Sequence, residues 1–211
     1  MNKIFKFGEN VAGYNIPVMN EREIRAAAGI FFLLMLVSVQ VVIFNGNFTL
    51  LKYAITIFLI DFIIRIFVNP KFSPSLIIGR LIVSNQVPEY VGAAQKKFAW
   101  IIGVILASIM FLLLVIVNGY SPITGIICFT CLIFLFFESV FGICLGCKFY
   151  SFFYKEKAQY CPGEVCDPRS KQEIQETSLE QLFIVLGFIA FILSIVYFFN
   201  DIYSQGPSKL F

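Results

Sequence analysis

Four cysteines, Cys144, Cys147, Cys161 and Cys166, carry most of the chemistry this sequence could perform. The first two form Cys144-Leu145-Gly146-Cys147 at the end of a long apolar run, and the second two enclose Pro162-Gly163-Glu164-Val165 in a polar connection. One reading makes Cys144 and Cys147 a redox or sulfur-carrying dithiol that exchanges with Cys161 and Cys166, since intracellular disulfides are as a rule transient and functional. A second joins all four as C-x2-C-x13-C-x4-C, a set of thiolates suited to a closed tetrahedral zinc site or an iron–sulfur cluster. A third leaves Cys144 and Cys147 as small residues at a helix end and Cys161 and Cys166 as loop thiols. The chain has no histidine, so the commonest metal ligand and general base is missing, and zinc held here would be held by sulfur alone.

Position weighs on the dithiol. An activated Cys-x-x-Cys normally lies at a helix N-terminus, where the dipole favours thiolate. Cys144 and Cys147 fall at a C-terminal end, with Lys148 as a partial offset, unless Gly142 or Gly146 breaks the helix. Cys128 and Cys131 make a second Cys-x-x-Cys upstream and together suggest a zinc pattern. On one continuous helix, however, Cys131 and Cys144 stand roughly 20 Å apart, so four sulfurs could not meet one ion. Cys128 and Cys131 read better as small residues on a packing stripe with Gly125, Leu135, Glu138 and Gly142, and Gly142-x-x-x-Gly146 reads first as a packing motif.

A different chemistry is offered by charge inside apolar segments. Asp61 and Arg65 are four residues apart and share a helix face. Glu138 lies at a matching distance from the end of a segment running the same way. Charged groups in a membrane span are costly and pair in the bundle interior. The expectation is one buried cluster of Asp61, Arg65 and Glu138, either structural or serving a small transporter.

The elements that must position these residues are membrane spans. The 211 residues are 59% hydrophobic and 14% charged, with mean hydropathy +0.85; soluble domains are nearer half apolar and a quarter charged. The expected fold is all-α: a polytopic transmembrane helix bundle of about five spans plus one interfacial or re-entrant helix. Apolar runs place the spans at about 26–44, 50–68, 98–117, 123–145 and 179–199. The first is too long for the core of a signal peptide. Ser73-Pro74-Ser75 starts a helix too short to cross, and Lys96-Lys97-Phe98-Ala99-Trp100 reads as a basic and aromatic anchor at a membrane boundary. The 26 Phe residues read as lipid-facing and packing residues. The divisions are a cytoplasmic segment 1–25, a four-span domain 26–154, a cysteine-bearing cytoplasmic loop 155–178, a fifth span 179–200 and a tail 201–211. Fourteen of the sixteen Lys and Arg residues fall on one side of this arrangement, which puts the N-terminus and all four cysteines in the cytoplasm and the C-terminus outside. The net charge of +3 is too small to suggest nucleic acid as a partner.

Phe72-Ser73-Pro74, Lys97-Phe98-Ala99 and, above all, Phe137-Glu138 followed by Phe141-Gly142-Ile143-Cys144-Leu145-Gly146-Cys147 resemble a bacterial integral membrane family catalogued as domain of unknown function 4395. The resemblance covers about residues 20–150. It implies a compact bundle of about four helices in the bacterial inner membrane, with no assigned activity and a suggested association with thioredoxin-like or sulfur-transfer proteins. It carries Cys144 and Cys147 but not Cys161, Cys166 or the last span. The functional expectation is therefore a cytoplasm-facing dithiol doing thiol–disulfide or sulfur-relay chemistry, with a zinc-stabilised accessory protein and a small transporter as alternatives.

Overall fold

The computed structural model describes residues 7–144 and 177–209, and among these described residues six α-helices are the main elements. They are α1 (Glu21–Asn45), α2 (Thr49–Ile63), α3 (Pro74–Ile82), α4 (Ala93–Phe111), α5 (Pro122–Phe136) and α6 (Leu179–Ser204). The ends of α2, α4 and α5 widen into π-helical turns at Ile64–Val68, Leu112–Ile116 and Phe137–Phe141. Four of these helices, counting the π turns, are long and apolar enough to cross a bilayer: 21–45, 93–116, 122–141 and 179–204. The protein is a multi-pass membrane protein built as an all-α bundle.

Local chemistry sets the helix limits. Asn20 caps α1 through its side chain on the Arg22 amide, and Glu21 and Glu23 occupy the first turn, where the helix dipole favours acids. Gly46 ends α1 in the left-handed region at φ 63°, as the Asn45-Gly46-Asn47 turn implies. Ser121 and Thr124 form a capping box at α5, Ser178 and Gln181 another at α6. The short helix α3 begins as its sequence suggests, with Ser73 at the cap and Pro74 in the first turn.

Side-chain ties show which ends lie together. At the start of α1, β1 (Val18–Asn20) pairs antiparallel with β2 (Tyr90–Gly92), which leads into α4. The Glu21 amide donates to the Glu89 carbonyl at 2.6 Å and the Ala93 amide to the Pro17 carbonyl at 3.0 Å. Arg65, near the end of α2, reaches Ser73 and Ser75 at the same end. The start of α6 joins them, through Gln181 Nε2 donating to the Lys71 carbonyl. At the opposite end, Lys52 in α2 reaches Asn118 after α4 and Gln205 after α6. There β3 (Gly119–Tyr120) pairs in parallel with β4 (Ser208–Lys209), holding the chain's last described residues against the α4–α5 turn.

Five helices thus run from end to end, with α1, α4 and α6 in one direction and α2 and α5 in the other. Helix α2 with its π turn covers residues 49–68 and makes the same traverse, although Lys52, Asp61 and Arg65 keep it from the plain apolar profile of the other four. The bundle core is built from Ala27, Phe31 and Met35 of α1, Ala54, Ile55 and Phe58 of α2, Trp100, Ala107 and Met110 of α4, and Leu132 and Leu135 of α5. Helix α3 lies against α1 at close range. A Cβ on Gly79 would stand 2.6 Å from the Glu23 carbonyl oxygen, so only glycine permits that approach.

Candidate functional site

The end that holds the start of α1 gathers three buried ionic groups and the emergence of Cys144. Asp61 and Arg65 pair as their spacing implies, Arg65 Nε donating to Asp61 Oδ2 at 2.8 Å. The guanidinium also donates to Ser73 Oγ at 3.2 Å and Ser75 Oγ at 2.6 Å. Asp61 further accepts from Ser73 Oγ, Ser75 Oγ and the Ser75 amide. Arg65 is 2% exposed, with its charge over the rings of Phe62 at 4.2 Å and Trp100 at 5.0 Å. The Asp61 and serine oxygens here all have partners, and the group fastens the start of α3 to α2.

Glu138 lies close enough to Arg65 to act on its charge, but its hydrogen bond goes elsewhere. It is hydrogen-bonded to Lys96, which also pairs with Glu21 at 2.7 Å. The reason lies in the entry geometry. β1–β2 brings the first turns of α1 and α4 together, so Glu21 and Lys96 face each other, and the π turn after α5 brings Glu138 onto the same ammonium. Lys96 is 1% exposed and Glu21 fully buried. Trp100, buried beside Arg65, is likewise a core residue. The Lys96–Trp100 stretch is therefore interior at those two positions and not a boundary anchor there. The third group joins Glu23 to Arg80 at 3.1 Å, with Asn20 Nδ2 donating to Glu23 Oε1 and Arg80 reaching Gln181.

The sequence marks neither Glu21, Glu23 and Arg80 as buried partners nor Lys96 as anything but a boundary anchor. The usable signal was placement: Asn20-Glu21-Arg22-Glu23 is a capped first turn leading straight into a span, so its acids must find partners at the membrane boundary.

The cysteines divide by element. Cys128 is buried and Cys131 half-buried on α5, both as free thiols. Cys128 and Leu135 pack into the core as the stripe implies, but Gly125 borders a cavity and approaches no neighbour within 4 Å of a Cβ. Gly142 departs further from its expected role. It adopts φ 65° and stops the helix, its amide donating to the Phe137 carbonyl, with the Ile143 amide donating there too at 3.0 Å. A Cβ at Gly142 would meet the Arg25 guanidinium at 3.0 Å. Arg25 in turn donates to the Val140 carbonyl at 3.3 Å, placing a cation at the negative end of the helix dipole. Cys144 emerges two residues beyond this stop. Cys147, Cys161 and Cys166 lie outside the described residues. Among the described residues, no group of three Cys, Asp or Glu could hold a metal ion.

A family model described as Domain of unknown function (DUF4395) matches residues 19–155. The chain belongs to this family. No curated protein and no solved structure matches it. The DUF4395 match begins at β1 and takes in α1 to α5, hence Asp61, Arg65, Lys96 and Glu138 as well as the Gly142 helix stop. It includes Cys144 and Cys147 and ends before Cys161, Cys166 and α6. The matched residues thus hold the Asp61–Arg65 and Glu21–Lys96–Glu138 groups, and α6 contacts them through Gln181 at one end and through Tyr203 and Gln205 on Thr56 and Lys52 at the other.

Proposed function

We propose that the protein carries thiol–disulfide or sulfur-relay chemistry at the cytoplasmic face of the bacterial inner membrane, with its N-terminus inside and its C-terminus outside. Cys144 and Cys147 form the primary dithiol, and Cys161 and Cys166 are the pair that exchanges with it. The partner is a thioredoxin-like or sulfur-transfer protein.

One observation supports this reading: the helix ends at Gly142, so Cys144 emerges beyond the helix. A thiol on the last turn of a helix is disfavoured as thiolate by the dipole. Here the chain has left the helix, and Arg25 offsets the negative end. In the exchange, a thiolate of the reduced dithiol attacks the partner's disulfide and expels one partner sulfur as thiolate. The second cysteine then displaces the other, which leaves the dithiol oxidised and the partner reduced. The positive-inside count favours the stated orientation, since Arg22, Arg25, Arg65, Lys71, Arg80, Lys96 and Lys97 belong to the Cys144 end and Lys52 and Lys209 to the other.

The test is a thiol and metal count. The protein is purified anaerobically in detergent, zinc and iron are assayed, and alkylatable thiols are counted before and after reductant. Additional thiols after reduction, without bound metal, are expected. Stoichiometric zinc that disappears in Cys161→Ser would overturn the reading.

A further inference from the structure

Between α1, α2, α4 and α5, in the half of the bundle away from Glu21 and Lys96, lies a cavity of about 420 Å³. Its floor is buried Leu51, Met110, Leu114, Cys128 and Leu132. Ile43 of α1 and Phe129 of α5, which are 70% and 66% exposed, border it on the outer surface of the bundle. No charged residue lines it. Hydroxyl groups occur only toward the α4–α5 turn, at Tyr120, Ser121 and Thr124. Both Ser121 and Thr124 are engaged in the capping box, which gives the apolar interior a polar lip near the membrane surface.

Along α5 the walls run from Ser121 to Leu132, about 16 Å at the helical rise. A separate, much smaller void shares Met110 and Cys128 with it and reaches Leu135. The space is long, narrow and apolar. Its buried walls would forfeit dispersion contacts if nothing lay against them. Its volume falls in the range of ligand sites, roughly 300–1,000 Å³. Gly125 is among its lining residues, and a Cβ there would meet nothing within 4 Å.

We infer that this cavity is a binding site for one acyl chain of a membrane phospholipid, entering past Tyr120 and Ser121 and lying along α5 toward Leu132. The chain's ester end sits at the polar lip and its methyl end against Met110 and Leu132. The occupant is an acyl chain because the bilayer supplies it at the mouth, because the lining offers no cation or carboxylate for a charged group, and because hydroxyls stand only at the entrance.

The test uses the full chain in nanodiscs of phosphatidylethanolamine and phosphatidylglycerol, doped with a phosphatidylglycerol bearing a diazirine in its acyl chain. After photolysis, label is mapped by mass spectrometry. The wild type should carry label on buried Met110, Cys128 and Leu132. Gly125→Leu should reduce that labelling about tenfold or more, while label on lipid-exposed Phe191 and Leu193 of α6 stays unchanged. Val39→Phe fills the same space from α1 and should act alike, so the test survives if one variant does not fold. Equal labelling in wild type and both variants would overturn the inference. So would solvent extracts that hold a stoichiometric isoprenoid quinone in place of retained phospholipid, or efficient crosslinking between two copies through Phe129→Cys.

Discussion

Lys96→Met removes the cation shared by the fully buried Glu21 and the partly buried Glu138. In the wild type, Lys96 Nζ stands 2.7 Å from Glu21 Oε2 and also holds Glu138. Lys96 and Glu21 are almost wholly inaccessible, so screening by solvent is weak. At an effective dielectric of 20, a unit pair at 2.7 Å attracts by about 6 kcal/mol. That gain offsets a desolvation penalty of several kcal/mol for each ion. Met keeps the stem of the side chain and removes the charge, leaving the penalty on both acids and placing two like charges together. No other hydrogen bond to the Glu21 or Glu138 carboxylate exists among the described residues, so neither has a second donor to fall back on. The expected loss of stability is ~3–5 kcal/mol, the usual cost of removing one partner from a buried pair. The assay is unfolding in mixed micelles titrated with dodecyl sulfate, followed by the fluorescence of Trp100, the only tryptophan in the chain. Replacing Glu21, Lys96 and Glu138 together by Met should recover most of the loss, because an apolar replacement of a whole buried ionic group is close to neutral. A Lys96→Met protein within about 1 kcal/mol of wild type, or a triple variant no better than the single, would refute the reasoning.

Two glycines should respond in opposite directions to alanine. Gly79→Ala drives a Cβ to 2.6 Å from the Glu23 carbonyl oxygen and should cost ~1–3 kcal/mol as α3 is pushed from α1, whereas Gly125→Ala meets open space and should gain up to about 1 kcal/mol from helix propensity; the same titration reads both. Arg65→Lys keeps the charge but cannot reproduce the contacts to Asp61, Ser73 and Ser75 or the stacking on Phe62 and Trp100, so it should lose ~1–3 kcal/mol and shift the Trp100 emission. Lys52→Met removes the bonds to Asn118 and the Gln205 carbonyl, and amide exchange at Ser208, which donates to the Asn118 carbonyl, should speed up by roughly tenfold or more.

Hydropathy made the bundle legible, because spans are written as apolar runs of bilayer length and their ends as capping and turn residues. Ser73-Pro74-Ser75 and Asn45-Gly46-Asn47 did what their chemistry implies. The pairing of Asp61 with Arg65 was legible because it is local to one helix. The partner of Glu138 was not. It depends on how three helices come together, and the short β1–β2 pairing that sets Glu21 opposite Lys96 leaves no periodic trace in the sequence. Lys96 was misread for a related reason. A Lys–Lys–Phe–Ala–Trp run at the edge of an apolar segment looks like an interfacial anchor, and only the tertiary arrangement turns Lys96 and Trp100 inward. Gly142 carries its own lesson: in the sequence it is half of a Gly-x-x-x-Gly packing motif, yet its positive φ makes it the stop from which Cys144 departs. Gly125 shows the converse, a small residue that bounds a cavity where close helix packing was expected.

The most direct test of the proposed chemistry is to trap the exchange. Cys147→Ser, in membranes with a reduced and then an oxidised thioredoxin, leaves Cys144 unable to pass its bond to Cys147. The account predicts a mixed disulfide through Cys144 that forms with the oxidised partner, disappears on reduction and is lost in Cys144→Ser. Absence of any mixed disulfide from Cys147→Ser, with Cys144 freely alkylated throughout, would contradict it.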